Sequence, residues 1–188
     1  MGEDERRDQI VAATRTAMNQ FGVRRLTVSD VALEAGVSRQ TIYEYFPGRD
    51  ALVEVALEAG GWDVIAEGEA RAAGASDPVD RLAAVLAAAI DYFAASPLWS
   101  TEAKRAELVP HVLSGDGAFA SAAAAALEVR LADWWPAADP AAVTRAADTT
   151  VRLLISHGLA PEDTAGDTVA QEIAGLVGAF LTSTVQTG

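Results

Sequence analysis

Between Arg24 and Phe46 two short amphipathic runs meet at one glycine, and this arrangement narrows the folds open to the chain more than any other feature. In the first run Val31, Ala32 and Ala35 share a face; in the second, Ile42 and Phe46 stand four residues apart. Thr27 precedes the first run and Ser38 the second, each with a hydroxyl oxygen able to accept a free amide at a helix start. Asp30 adds negative charge in the first turn, where the helix dipole favours it. Gly36 stands where the chain must leave a helix through a left-handed backbone, which only glycine does cheaply. Val37 fills the turn. The spacing predicts helices over 28–35 and 39–46 around a tight turn. This is a helix-turn-helix, whose second helix can enter a major groove ~12 Å wide.

If Ile42 and Phe46 face inward, Arg39, Gln40, Thr41, Tyr43 and Tyr45 are left on the outer side or flanks. Arginine can bond guanine O6 and N7 in a bidentate way, and glutamine can do the same to adenine N6 and N7. Thr41 suits a thymine methyl or a phosphate, and tyrosine hydroxyls can donate to phosphate oxygens. Thr27 and Ser29 lie at the amide end of the first short helix, and Arg49 opens the next; all three suit phosphate. Ser38, at the start of the second helix, completes the expected DNA-facing set. Tyr43 and Tyr45 have an alternative, packing against the following helix, and Arg24 and Arg25 read as solvated loop charges.

Charge agrees with this division. Residues 1–50 carry seven Arg against eight acids, whereas the remainder carries seven bases against nineteen acids, most of the net −13. An acidic chain argues against non-specific nucleic-acid binding, but screening over ~8–10 Å leaves room for a local basic face. There is no cysteine, and His111 and His157 are the only histidines. Disulfides, thiol catalysis and iron–sulfur clusters are therefore excluded, and neither a metal nor a cofactor is expected. The charged start has no apolar stretch after it, and no apolar run approaches the ~18–20 residues that span a bilayer. A soluble, cytoplasmic protein with no membrane partner is expected.

The rest of the chain has helical periodicity. A first helix is predicted over about 4–21, with Ile10, Thr14, Ala17, Met18 and Phe21 as its stripe and Gly22 as its stop. A long fourth helix begins at Gly48, carries Leu52, Val55, Ala56, Ala59 and Trp62 on one side, and should kink or break at Gly60-Gly61. Asp77-Pro78, Ser96-Pro97 and Asp139-Pro140 open further segments, each with a cap and a proline at the first helical position. Gly115-Asp116-Gly117 reads as a loop, with a helix over 118–135 after it. Gly158 should end the helix that starts at Pro140, and the last helix should run over about 168–184. The whole is an all-α fold of about nine helices. Residues 1–48 form the helix-turn-helix domain and 49–188 a larger helical domain.

The run Leu26-Thr27-Val28, Val31-Ala32, Ala35-Gly36-Val37-Ser38, Thr41-Ile42-Tyr43, Tyr45-Phe46-Pro47, Arg49 and Leu52 resembles the DNA-binding domain of the TetR family of bacterial transcriptional regulators. The resemblance covers about the first 55 residues. It implies a three-helix head, a helical domain that binds a small effector, and a homodimer that usually represses transcription from a palindromic operator until effector releases it. It also implies that Thr27 and Ser29 contact backbone, that Arg39, Gln40, Thr41 and Tyr43 belong to the recognition helix, and that Tyr45 and Arg49 meet phosphate. Arg49 stands where the family more often has lysine, and Gly48 where serine or asparagine is common.

Beyond residue 60 the resemblance thins. Trp62, Phe93, Trp99, His111, Phe119, Trp134 and His157 are candidate pocket residues, with Arg152 as a possible anion partner; each also suits an ordinary core or surface role. The last two helices, rich in Ala, Gly and Thr, are the family's dimerisation elements. A dimer also has a physical basis, since two recognition helices ~34–36 Å apart meet successive major grooves. An activator of the same fold, or a helical small-molecule-binding protein without regulatory DNA binding, stays open. An enzyme is disfavoured, because Ser156-His157 lacks any nucleophile elbow.

Overall fold

The computed structural model describes residues 2–112, 118–161 and 163–185, and among them every regular element is helical. Helix α1 spans Glu3–Phe21, α2 Val28–Glu34, α3 Arg39–Tyr45 and α4 Arg49–Ala72. Helix α5 spans Pro78–Ala95, a 3₁₀ turn covers Pro97–Trp99, and α6 spans Glu102–Val112. Helices α7, α8 and α9 span Ala118–Trp134, Pro140–Leu159 and Gly166–Ser183. The expected loop at Gly115-Asp116-Gly117 lies outside the described residues.

Side-chain caps set most of the starts. The Asp30 amide donates to Thr27 Oγ1 at 3.2 Å while the Thr27 amide donates to Asp30 Oδ2 at 2.9 Å, a reciprocal capping box. Thr41 N–H donates to Ser38 Oγ at 3.0 Å. Asp77 and Asp139 accept from Val79 and Ala142, with Pro78 and Pro140 at the first helical position, where the missing N–H costs nothing. Gly22 and Gly36 have positive φ, 78° and 64°, so the exits from α1 and α2 need residues without a Cβ.

Helices α1, α2 and α3 close around Ile10, Met18, Val31 and Ile42, each essentially inaccessible to solvent. Gln9 Nε2 donates to the Ala35 carbonyl at 2.8 Å, fastening α1 to the end of α2. In the remainder, α4 lies along α5, α5 also packs on α9, and α7 on α8. Gly68 of α4 packs tightly on α5, where a Cβ would lie 2.8 Å from the Val85 backbone. Gly68→Ala is therefore expected to lower stability by about 1–2 kcal/mol, since overpacking outweighs the ~1 kcal/mol gained in helix propensity. Urea unfolding checks this, with Gly74→Ala as control because Gly74 has open space around it.

Four expectations differ from the structure. Helix α4 passes through Gly60-Gly61 without a break. The reason for a small residue there is packing, since a Cβ on Gly60 would lie 2.6 Å from the Tyr92 hydroxyl. Gly158 likewise does not stop α8, which continues to Leu159; its missing Cβ makes room for the rings of Phe93 and Trp99. Phe21 and Trp62 were expected on apolar stripes but are 41% and 50% exposed. The buried face of α4 is Leu52, Val53, Ala56, Leu57 and Gly60, rotated away from Trp62. Finally, α6 is a full helix with Pro110 inside it; only Leu108 and Val112 are buried, so it has little apolar periodicity to read.

Candidate nucleic-acid interface and ligand cavity

The α2–turn–α3 unit leaves one polar surface uncovered. Thr27, Ser29, Ser38, Arg39 and Gln40 are exposed, Tyr43 is half exposed, and Thr41 is partly covered. Arg39, Gln40 and Tyr43 make no hydrogen bond or ion pair with other described residues, so their donors and acceptors are free for an external partner. The hydroxyls of Thr27 and Ser38 have local work: Thr27 Oγ1 donates to Asp30 Oδ2 at 2.6 Å, and Ser38 Oγ pairs with Thr41 Oγ1 at 3.0 Å. Tyr45 packs partly against the core.

Arg49 is differently placed from its neighbours in the expected set. Its guanidinium donates to the carbonyls of Val23, at 2.5 Å, and Leu26, at 3.2 Å, and pairs with Asp50 at 2.6 Å. It thereby clamps the α1–α2 connection to the first turn of α4. Two further contacts join the first three helices to the rest. Arg15 of α1 pairs with Asp63 of α4 at 2.7 Å, and Glu107 of α6 accepts from the Arg24 amide at 3.0 Å. His111 lies near this junction, close to Arg49, Asp50 and Glu54. Burial, with Arg49 adding to it, pushes the imidazole below its ordinary value, while Asp50 and Glu54 act in the opposite direction.

A cavity of about 80 Å³ lies between α4, α5, α7 and α8, with an almost wholly apolar wall. Of the candidate pocket residues, Phe93 and Phe119 line it. Trp62 borders a smaller recess that shares Gly61, Ile65 and Phe119 with it, and Trp99 and His157 line a separate groove beside Phe93. Trp134 is partly buried against the core, and Arg152 is on the surface paired with Asp148 at 2.8 Å. Of the eight, Phe93 and Phe119 thus meet at the apolar cavity, and Phe93, Trp99 and His157 at the groove of about 260 Å³.

Tyr92 and Arg130 are the polar side chains of that wall, and neither was singled out in the sequence. The Tyr92 ring faces the cavity while its hydroxyl lies beside Arg15 and Ser96; burial is the main cause of its raised pKa. Arg130 was legible only as the one base in an alanine-rich helix, a signal that does not say which way it points. No described helix is long and apolar enough to cross a membrane.

Fold and surface together define a helix-turn-helix protein with an apolar cavity in its second part. Residues 10–56 match the family model of bacterial regulatory proteins of the tetR family, and residues 79–179 match that of the bacterial tetracyclin repressor C-terminal domain. The chain belongs to the TetR family, whose members are DNA-binding transcriptional regulators and not enzymes. It is 34% identical over 82 residues to the HTH-type transcriptional regulator BetI 1 of Chromohalobacter salexigens, a match covering 43% of this chain and 41% of that relative. It is 40% identical over 55 residues to BetI 2 of the same organism, covering 29% of this chain and 27% of that one. Less than half of either relative's length is therefore matched. The solved structure of the TetR family repressor AlkX from Dietzia sp. superposes with a TM-score of 0.76 at 21% identity, covering 95% of this chain and 96% of that one, which is a likeness of fold.

Proposed function

We propose that the chain is a ligand-responsive repressor that binds a palindromic operator as a homodimer and leaves it when a small molecule fills the cavity. In this reading residues 1–48 are the DNA-binding domain and 49–188 the effector-binding and dimerisation domain, working in the cytoplasm. The observation that carries it is the position of α4. One helix supplies Gly61, Val64 and Ile65 to the cavity wall and is clamped through Arg49 to the α1–α2 connection. Without a break at Gly60-Gly61, α4 acts as a lever rather than a hinge. A ligand that favours one tilt of α4 by ~1–3 kcal/mol changes operator affinity 5–150-fold.

On DNA, Arg39 and Gln40 would read base edges and Thr41 and Tyr43 would meet methyl or phosphate groups. Thr27, Ser29 and Ser38 would flank the phosphates, with Tyr45 and Arg49 behind them. Because Arg49 already serves three internal acceptors, its part is to hold the head in place as much as to meet phosphate.

Fluorescence anisotropy of the protein on DNA from its own upstream region, at ~150 mM salt with scrambled competitor, tests the reading. Tight binding to one palindromic segment is expected. Arg39→Ala is expected to cost about 1–3 kcal/mol and relax preference at one base pair per half-site. If Arg39→Ala binds with unchanged affinity and preference, α3 is not the reading helix.

The outer faces of α8 and α9 support the homodimer. Leu153, Leu176 and Phe180 are exposed there, and Gly175 lies mid-helix on the same open face with nothing near it. A glycine inside an exposed helix costs ~1 kcal/mol relative to alanine, a cost that close approach of a second helix offsets. Exposed large apolar residues on a terminal helix pair are the signature of a protein interface.

A further inference from the structure

We propose that the groove between α5, the 3₁₀ turn, α6 and α8 is a second small-molecule site, and that it takes a flat ring bearing one carboxylate, received by Arg105 and His157. The proposal is independent of the reading of the apolar cavity as the effector site. It starts from how Arg105 of α6, which lines the groove, is fastened. Its Nε donates to the Leu159 carbonyl at 2.8 Å and its Nη1 to the Trp99 carbonyl at 2.9 Å. The guanidinium is thus held between two elements of the groove wall, the 3₁₀ turn that carries Trp99 and the end of α8 that carries His157 and Gly158. Its second terminal nitrogen, Nη2, has no partner among the described residues and remains accessible; Arg130 Nε is the buried side-chain nitrogen that lacks one. No carboxylate among the described residues pairs with Arg105, whereas Arg15, Arg49, Arg71 and Arg130 each have one. The carbonyl end of α8 offsets roughly half a unit charge, so a positive surplus stays at the groove.

The rest of the wall narrows the ligand. His157 also lines the groove and makes no hydrogen bond or ion pair with another described residue, so an imidazole N–H is free to donate. Ser100 Oγ spends its proton on the Pro97 carbonyl at 2.7 Å, which leaves Arg105 and His157 as the side-chain donors. No acid stands among the lining residues, so a cation would meet Arg105 with nothing to offset it. A carboxylate brings one negative charge to one arginine and accepts from several donors at once. A phosphate or sulfate would bring a second charge that this mostly apolar wall leaves unpaired. Opposite the polar groups are the rings of Phe93 and Trp99, packed with centroids 4.4 Å apart and planes at 40°. Such a pair presents ring faces and edges to a flat ring. The groove holds about 260 Å³. A cavity of roughly 150 Å³ already admits benzene, so a single ring with its carboxylate fits.

Calorimetric titration of the full chain with benzoate, benzyl alcohol, benzylammonium and acetate tests the proposal. A charge-assisted hydrogen bond predicts that benzoate binds about 10-fold or more tightly than benzyl alcohol. Benzylammonium and acetate, which lack the right charge and the ring respectively, should bind more weakly still. In Arg105→Gln the advantage of benzoate over benzyl alcohol is expected to vanish while benzyl alcohol binding persists, which also shows that the variant folds. If Arg105 served only to cap the end of α8, native benzoate and benzyl alcohol would bind alike. A second variant does not touch the guanidinium. Ala94 is exposed on α5 and lines the groove, so Ala94→Leu fills the space without entering the core and should abolish benzoate binding with the thermal melt unchanged. The proposal is overturned if benzylammonium, benzyl alcohol or acetate binds the native chain as tightly as benzoate. It is equally overturned by a benzoate preference that survives Arg105→Gln, by benzoate binding that survives Ala94→Leu, or by no binding of benzoate up to millimolar concentration.

Discussion

Leu176→Glu is expected to convert the protein to a monomer and weaken operator binding about 10²–10⁴-fold, the loss that follows when two linked recognition modules act singly. Leu176 is 71% exposed on α9, so the charge is introduced without disturbing the core, and the fold should survive. On the proposed interface the same glutamate would be buried against an apolar partner face, and removal of a charge from water is costly. A two-fold interface repeats the penalty, because each copy presents the same position to the other. Sedimentation equilibrium reports the association state and anisotropy the DNA affinity. A variant that remains dimeric, with native affinity, would show that α9 does not form the interface. A variant that is monomeric yet binds the full operator as tightly would show that the dimer is not what reads it.

Ile42→Ala is expected to lower stability by about 2–5 kcal/mol, the range for deleting a large aliphatic side chain from a packed core. Ile42 is wholly buried and is the one buried residue of α3, in the same core cluster as Val31, Ala32 and Phe46. In a chain of this size each kcal/mol shifts Tm by roughly 2–4 °C, so a loss of about 4–20 °C is expected in a thermal melt. Tyr43→Ala, one position further along, should change stability little while reducing DNA affinity, because Tyr43 is half exposed and its side chain bonds to no other described residue. The pair separates folding from reading within a single seven-residue helix. Equal losses of stability in the two variants would mean that the inward and outward faces of α3 have been assigned wrongly.

Gly68 shows how tertiary packing governs a position whose local sequence says little. Its sequence neighbourhood, Glu-Gly-Glu-Ala, favours neither a turn nor a break, yet there α4 packs on the Val85 backbone of α5 too closely for a Cβ. Gly60 and Gly158 carry the same lesson: both looked like interruptions, yet α4 runs on through Gly60 and α8 ends just after Gly158 at Leu159, and each glycine leaves room for aromatic side chains packed against it. A glycine has one local meaning, backbone freedom, and another that depends on its neighbours in space, and only the first is visible along the chain.

The head was legible because its information is local. The caps at Thr27 and Ser38, the positive φ at Gly36 and the four-residue spacing of Ile42 and Phe46 are all decided within a few residues of one another. The starts of α5 and α8 were legible for the same reason, through Asp77-Pro78 and Asp139-Pro140. The course of α6, the rotation of α4 that exposes Trp62, and the placing of Arg130 beside an apolar cavity were not. Each depends on which helix lies opposite. A hydrophobic stripe states that one face must be covered, whereas the partner that covers it, and the gap left between the two, follow from packing several such faces at once.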